Sequence, residues 1–180
     1  VGASTNINSL ILDGANFDLL NGSTVTVDSG AILFASGSVI DIGGASDTTL
    51  NFGATEGIVT INSTGNTFIR PAITGTGGLS VYGSGTYIPS NSGSTYSGGT
   101  LLQVARVIPV TNSTGPGGAP TRGPFGTGTV ILDGSAIRST TSRDTTIANE
   151  LIIRSDTEIL SVGGANSLLF TGPVTLEDGD

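Results

Sequence analysis

The sequence predicts an all-β fold, a parallel β-solenoid with about three short strands per coil. Three observations carry that prediction: a regular beat of short alternating apolar runs, near-copies of those runs within one chain, and a glycine content that only corners can absorb.

The beat sets the strands. Runs with β-branched or aromatic residues in period two recur roughly every 7–10 residues, separated by glycine, asparagine, aspartate and serine. They are "SLIL" (9–12), "FDLL" (17–20), "TVTV" (24–27), "AILF" (31–34), "SVIDI" (38–42), "TLNF" (49–52), "IVTI" (58–61), "TFI" (67–69) and "LSV" (79–81). After residue 128 the series resumes with "TVIL" (129–132), "LII" (151–153), "ILSV" (159–162), "LLF" (168–170) and "VTL" (174–176). No window holds a helical period for three turns, so helix content is expected to be minimal.

Such spacing also suits an antiparallel sandwich, and internal similarity decides for the solenoid. "LILDGANF" (10–17) returns as "VILDGSAI" (130–137), and "TVTVDSG" (24–30) is echoed by "SVIDIGG" (38–44). Three strands per coil imply a period of roughly 20–27 residues. Phe17, Phe34, Phe52 and Phe68, at intervals of 17, 18 and 16 residues, would stack in one column only if coils held about two strands. With three strands they fall on different faces, and that is the arrangement expected.

The 29 glycines among 180 residues are about 16% of the chain, against a usual share of roughly 7%. Inside regular elements each would cost roughly 0.5–1 kcal/mol, a total beyond an ordinary domain's stability, so most must sit in turns. Aromatic residues are few, as suits a narrow interior column of valine, isoleucine and leucine.

Charge narrows the function. The net charge is −8, and the six basic residues, Arg70, Arg106, Arg122, Arg138, Arg143 and Arg154, are scattered, which argues against nucleic acid as a partner. Cysteine, histidine, lysine, methionine and tryptophan are absent. A Ser-His-Asp triad, a His/Cys metal site and a lysine crosslink are thereby excluded. A cysteine-free chain suits a bacterial protein that stays unbridged during export. No apolar run is long enough to span a membrane and no signal peptide opens the chain, while "TLEDGD" stops directly after a strand-like triplet. The expectation is one solenoid segment over 1–180, cut from a longer chain.

The stretch 73–102, "ITGTGGLSVYGSGTYIPSNSGSTYSGGTLL", asks what its glycines do. "GSGTYI" opens like a nucleotide-binding turn, but the third glycine, a following helix and any lysine are missing. Leu79, Val81, Tyr82, Tyr87, Ile88 and Tyr96 leave too much to bury for a flexible linker. Turns between rungs are the better account.

In its residues this stretch resembles the passenger-associated repeat of bacterial autotransporters. The matching positions are Gly75, Gly77 and Leu79, then Gly83, Gly85 and Thr86, then Tyr96, then Gly98, Gly99 and Thr100. Tyr87 and Pro89 stand where the repeat has strand leucines, one residue is extra, and Asn91 sits far from Tyr96. Because proline cannot donate to a ladder, this strand is expected to be bulged or to end early. The resemblance implies a right-handed parallel β-helix outside a Gram-negative-type cell, whose repeat assists folding and export rather than chemistry. It implies an extracellular or cell-surface, outer-membrane-associated location.

Candidate chemistry is sparse. Paired carboxylates for glycan hydrolysis are Asp13 with Asp18, Asp41 with Asp47, and Asp156 with Glu158; period two would put the last pair on one strand face. Turn acids and solubilising surface acids are the simpler account of all three. Arg143 and Asp144 read as a surface ion pair, and "DGANFD" (13–18) and "EDGD" (177–180) offer calcium oxygens without matching a calcium repeat. No catalytic, cofactor or metal residues are assigned.

One segment breaks the beat: "TNSTGPGGAPTRGPFG" (111–126), within a Pro/Gly-rich loop over 111–128 that is expected to protrude. Pro116, Pro120, Arg122, Pro124 and Phe125 are its candidates for partner contact. The expected function is a non-enzymatic surface module, a stalk, adhesin or self-assembling fibre component that contacts itself, a cell surface, matrix or a glycan. The alternatives are a fragment of a β-helix carbohydrate-active enzyme and a trimeric phage or virion fibre.

Overall fold

The computed structural model describes residues 3–37, 39–44, 47–160 and 166–177. Ser38, Ser161 and Val162 of the expected strands, and residues 178–180 of the acidic tail, lie outside these.

The chain winds about seven turns around three faces, and the first face carries no strand between Thr74 and Thr145. The first turn holds β1 (Ser4–Ile7), β2 (Leu10–Asp13) and β3 (Phe17–Asp18). The second holds β4 (Thr24–Val27), β5 (Ala31–Ser36) and β6 (Val39–Gly43), the third β7 (Thr49–Asn51), β8 (Gly57–Ile61) and β9 (Asn66–Ile69). Next come β10 (Ala72–Thr74) and the long β11 (Leu79–Pro89), which runs across two faces, as does β12 (Thr100–Val107) one turn on. The series closes with β13 (Val130–Asp133), β14 (Ala136–Arg138), β15 (Thr145–Ile147), β16 (Leu151–Arg154), β17 (Ile159–Leu160), β18 (Leu168–Phe170) and β19 (Val174–Leu176).

Every pairing between these strands is parallel, which rules out the sandwich. Among the described residues there is no helix, and none long and apolar enough to cross a membrane. Leu10 lies opposite Ile32 and Ala31 opposite Ile58, so these turns span 22 and 27 residues; the turn containing the Pro/Gly-rich loop takes 30, from Thr100 to Val130. Phe17 faces Ile42, Phe34 faces Leu12 and Ile61, and Phe68 faces Asp41 and Ile88, so the phenylalanines do not form a column.

Alternation in the strands aims one residue in two inward, and parallel register turns those residues into axial columns. One column runs Leu10, Ile32, Val59, Val81, Leu102, Leu132, Ile153 and Leu176. Its central members, Val59 to Leu132, are fully enclosed, and each contributes about 1.5–3 kcal/mol by leaving water. The expected irregularity in β11 is present: its register with β12 shifts between Gly83 and Thr86, and the strand ends on Pro89.

The interior is less purely aliphatic than the composition suggests, because Tyr87, Tyr96 and Phe125 are fully buried in the middle turns. The Tyr96 hydroxyl pairs with Thr100 Oγ1 at 2.7 Å, whereas among the described residues the enclosed Tyr87 hydroxyl has no partner. Burial, with Tyr96 nearby, holds the Tyr87 phenol well above its ordinary pKa, and burial raises Tyr96 against the opposing pull of its Thr100 bond. Both phenols therefore stay neutral in the fold at pH values where the unfolded chain ionises, near pH 10. Their contribution is complete below about pH 10 and is lost as pH climbs toward the raised folded-state values. Tyr87→Phe is expected to gain about 1 kcal/mol at pH 7, by removing an unmatched hydroxyl, and to soften the alkaline loss. Urea melts between pH 8 and 12 check both; a destabilised variant with unchanged alkaline sensitivity would contradict them.

Candidate functional site

The glycine-rich stretch 73–102 runs through a whole turn, from β10 through β11 to the start of β12, and passes the corner between the first and second faces twice. Its glycines sit where neighbouring rungs press close: a Cβ on Gly75, Gly77, Gly83, Gly85 or Gly98 would lie 2.0–2.4 Å from an atom of the preceding turn. Leu79 and Tyr96 fill the interior, Thr86 is buried, and Thr100 Oγ1 also donates to the Phe125 carbonyl at 3.2 Å. Gly99 turns the chain at φ +89°. All ten motif positions are thus occupied in holding one rung to the next.

Because side chains are absent from this corner, a shallow groove of about 400 Å³ opens there, floored by Gly78, Gly98, Gly99 and Gly128 and edged by Glu56, Ser80 and Thr129. Its floor is spent: Gly57 N–H donates to Gly78 O, Leu79 N–H to Gly99 O and Thr100 N–H to Thr129 O. Register aligns Glu56, Gly78, Gly99, Thr129 and Glu150 in one axial file. Four rungs separate the two glutamates, about 19 Å at roughly 4.8 Å per rung. Paired-carboxylate hydrolysis needs about 5–10 Å, so the groove does not bring those two acids together for that chemistry.

Several other acids are committed to neighbouring rungs. Arg70 Nε donates to Asp41 Oδ2 at 2.6 Å, Gln103 to Asp133 at 2.7 Å, Thr129 to Glu150 at 3.0 Å, and the Ser167 N–H to Asp144 at 2.6 Å. Asn6 donates to Asp28 at 3.4 Å, and Ser36 to Asp13, Ser80 to Glu56 and Arg154 to Glu177 complete the set. In each case the partners lie 21–30 residues apart in sequence, one turn of the solenoid. These carboxylates are axial ties.

Of the candidate pairs, Asp13 and Asp41 are tied to neighbouring rungs, Asp18 is exposed, and Asp47 is an exposed turn residue. Asp156 and Glu158 occupy the exposed corner between β16 and β17 rather than a strand, so the alternation expected to align them does not apply. Arg143 and Asp144 form no ion pair, since Asp144 turns to Ser167 instead. No three acidic side chains gather as a metal cluster among the described residues; Glu177 of "EDGD" is engaged by Arg154.

The Pro/Gly-rich loop departs furthest from expectation. Rather than standing off the rungs, it doubles back through an antiparallel bridge between Thr114 and Arg122 and lies along the next turn. Ser113 N–H donates to Thr146 O, Gly118 N–H to Ala148 O, and Thr146 N–H to the Asn112 side chain. Pro116 and Arg122 remain exposed and open to a partner. Pro120, Pro124 and Phe125 are buried, Phe125 completely, so their assignment as partner contacts is corrected to core and anchor.

The residue that sequence reasoning passed over is Asn149. Fully buried, its Nδ2 reaches the carbonyls of Gly128 at 2.7 Å, Gly126 at 3.3 Å and Phe125 at 3.5 Å. It supplies donors that the irregular backbone around 126–128 would otherwise lack. No family model matches this chain, and no curated protein or solved structure does.

Proposed function

We propose that the chain is a non-enzymatic extracellular module, a β-solenoid rod that serves as stalk, adhesin or self-assembling fibre component in the manner of an autotransporter passenger segment. The observation that carries this reading is the fate of the carboxylates. On a surface built for sugar hydrolysis two acids converge on open space; here Asp13 and Asp41, one acid from each of two candidate pairs, are bound to a neighbouring rung, and so are Glu56 and Glu150 along the glycine groove. Ties of this kind stiffen an axis and leave its faces for contact. The passenger-like corner adds support, because its glycines serve stacking.

Light scattering across a hundredfold concentration range is expected to show growing assemblies; monomers at every concentration would remove the fibre component. Incubation with a polysaccharide panel is expected to release no reducing ends or unsaturated products, and release of either would overturn the non-enzymatic reading.

A further inference from the structure

At the corner that follows the third face, four consecutive turns bring together Gly44, Arg70, Ser90, Asn91, Ser92 and Thr111 around a pocket of about 260 Å³. Its chemistry differs from that of the glycine groove. Arg70 is held in place before any ligand arrives: Nε is bound to Asp41, and the guanidinium carbon lies 4.7 Å from the centre of the Phe68 ring. That leaves the Nη edge, four N–H donors without a partner among the described residues, on a side chain that is 44% exposed. The wall is equally fixed, since Asn91 Nδ2 donates to Arg70 O and Asn91 Oδ1 accepts the Gly93 N–H, both at 2.7 Å.

One polar atom of the lining is unmet. Thr111 Oγ1 is enclosed and has no hydrogen-bond partner among the described residues. The Arg70 Nη groups only donate, whereas the Thr111 hydroxyl can donate or accept, and Asp41, paired with Arg70, cancels the charge that would draw an anion toward a chain of net charge −8. Groups that donate and accept at adjacent positions are vicinal hydroxyls.

We infer that this corner binds a single neutral sugar residue, with Arg70 Nη donating to ring hydroxyl oxygens and the Ser90, Ser92 and Thr111 hydroxyls completing its contacts. The volume falls below the roughly 300–1,000 Å³ of drug-sized pockets, which fits one ring rather than an oligosaccharide. The pocket stands independently of whether the rod assembles.

Titration of the ¹⁵N-labelled chain with D-glucose, D-galactose, D-mannose and N-acetylglucosamine tests it. With at least one sugar, the Arg70 Nε–Hε signal and the Gly44, Ser92 and Gly93 amides are expected to shift saturably, with a Kd on the order of millimolar. Arg70→Ala and Ser92→Ala, both at exposed positions, are expected to weaken that Kd about tenfold or more while the remaining spectrum is kept. Sodium acetate and sodium sulfate form the contrasting arm. Saturable shifts with the anions and none with the sugars would replace the inference with an anion site; silence in both arms, or sugar shifts unchanged in both variants, would overturn it.

Discussion

Gly83→Val is expected to leave the chain unfolded, or within reach of unfolding, at 25 °C. Gly83 has φ +118°, a region closed to β-branched residues, and a Cβ placed there would lie 2.2 Å from the carbonyl oxygen of Ile61. That oxygen belongs to backbone, so no side-chain rotation relieves the clash. The residue sits where β11 pairs with β8 on one side and β12 on the other, at the start of the bulge that carries the strand from the second face to the third. Strain of about 1–3 kcal/mol, overpacking of a similar size and loss of local pairing on both sides together exceed about 4 kcal/mol. An ordinary domain has about 5–15 kcal/mol in all. Gly134→Ala is the contrasting case: φ is +72°, but nothing stands within 4 Å of the added methyl, so the cost is about 1 kcal/mol. Urea unfolding followed by circular dichroism separates the two, and a Gly83→Val midpoint close to that of Gly134→Ala would contradict the stacked-rung account of these glycines.

How far the molecule could be read in advance follows from which interactions are local. Strands such as Thr24–Val27 and Gly57–Ile61 announce themselves because their alternation is complete within four or five residues. Ala72–Thr74, Ala136–Arg138 and Thr145–Ile147 do not, because three residues carry only one or two inward side chains and owe their conformation to the rung beside them. Thr100–Val107 was hidden by its position directly behind the glycine-rich corner, although its inward residues alternate. The axial ties were illegible for a different reason. Asp41 finds Arg70 at a separation of 29 residues and Asp13 finds Ser36 at 23, and the coil length that sets each separation varies with every corner. No fixed period in the sequence marks such pairs. The prolines and glycines of 111–128 correctly signalled a break in the rungs, yet composition alone cannot distinguish a loop that stands off from one that lies down.

Phe125→Ala decides that distinction by its size. If the segment were a free loop, truncating an aromatic in it would move stability by less than about 0.5 kcal/mol, as expected for a surface position. The ring is instead fully enclosed in the core, and its carbonyl receives Thr100 Oγ1 and Asn149 Nδ2. Removing it opens a cavity in the core cluster it shares with Leu102 and Leu132, at a cost of about 3–5 kcal/mol. The backbone carbonyl survives the substitution, so the link through Thr100 to the hydroxyl of Tyr96 is kept and the cost is that of the ring. Arg122→Ala, three residues earlier and exposed, is expected to stay within about 0.5 kcal/mol of the parent. Equal urea midpoints for the two variants would return the segment to the surface; a gap of several kcal/mol makes 123–126 a rung of the solenoid and confines any partner contact in this region to the Pro116–Arg122 tip.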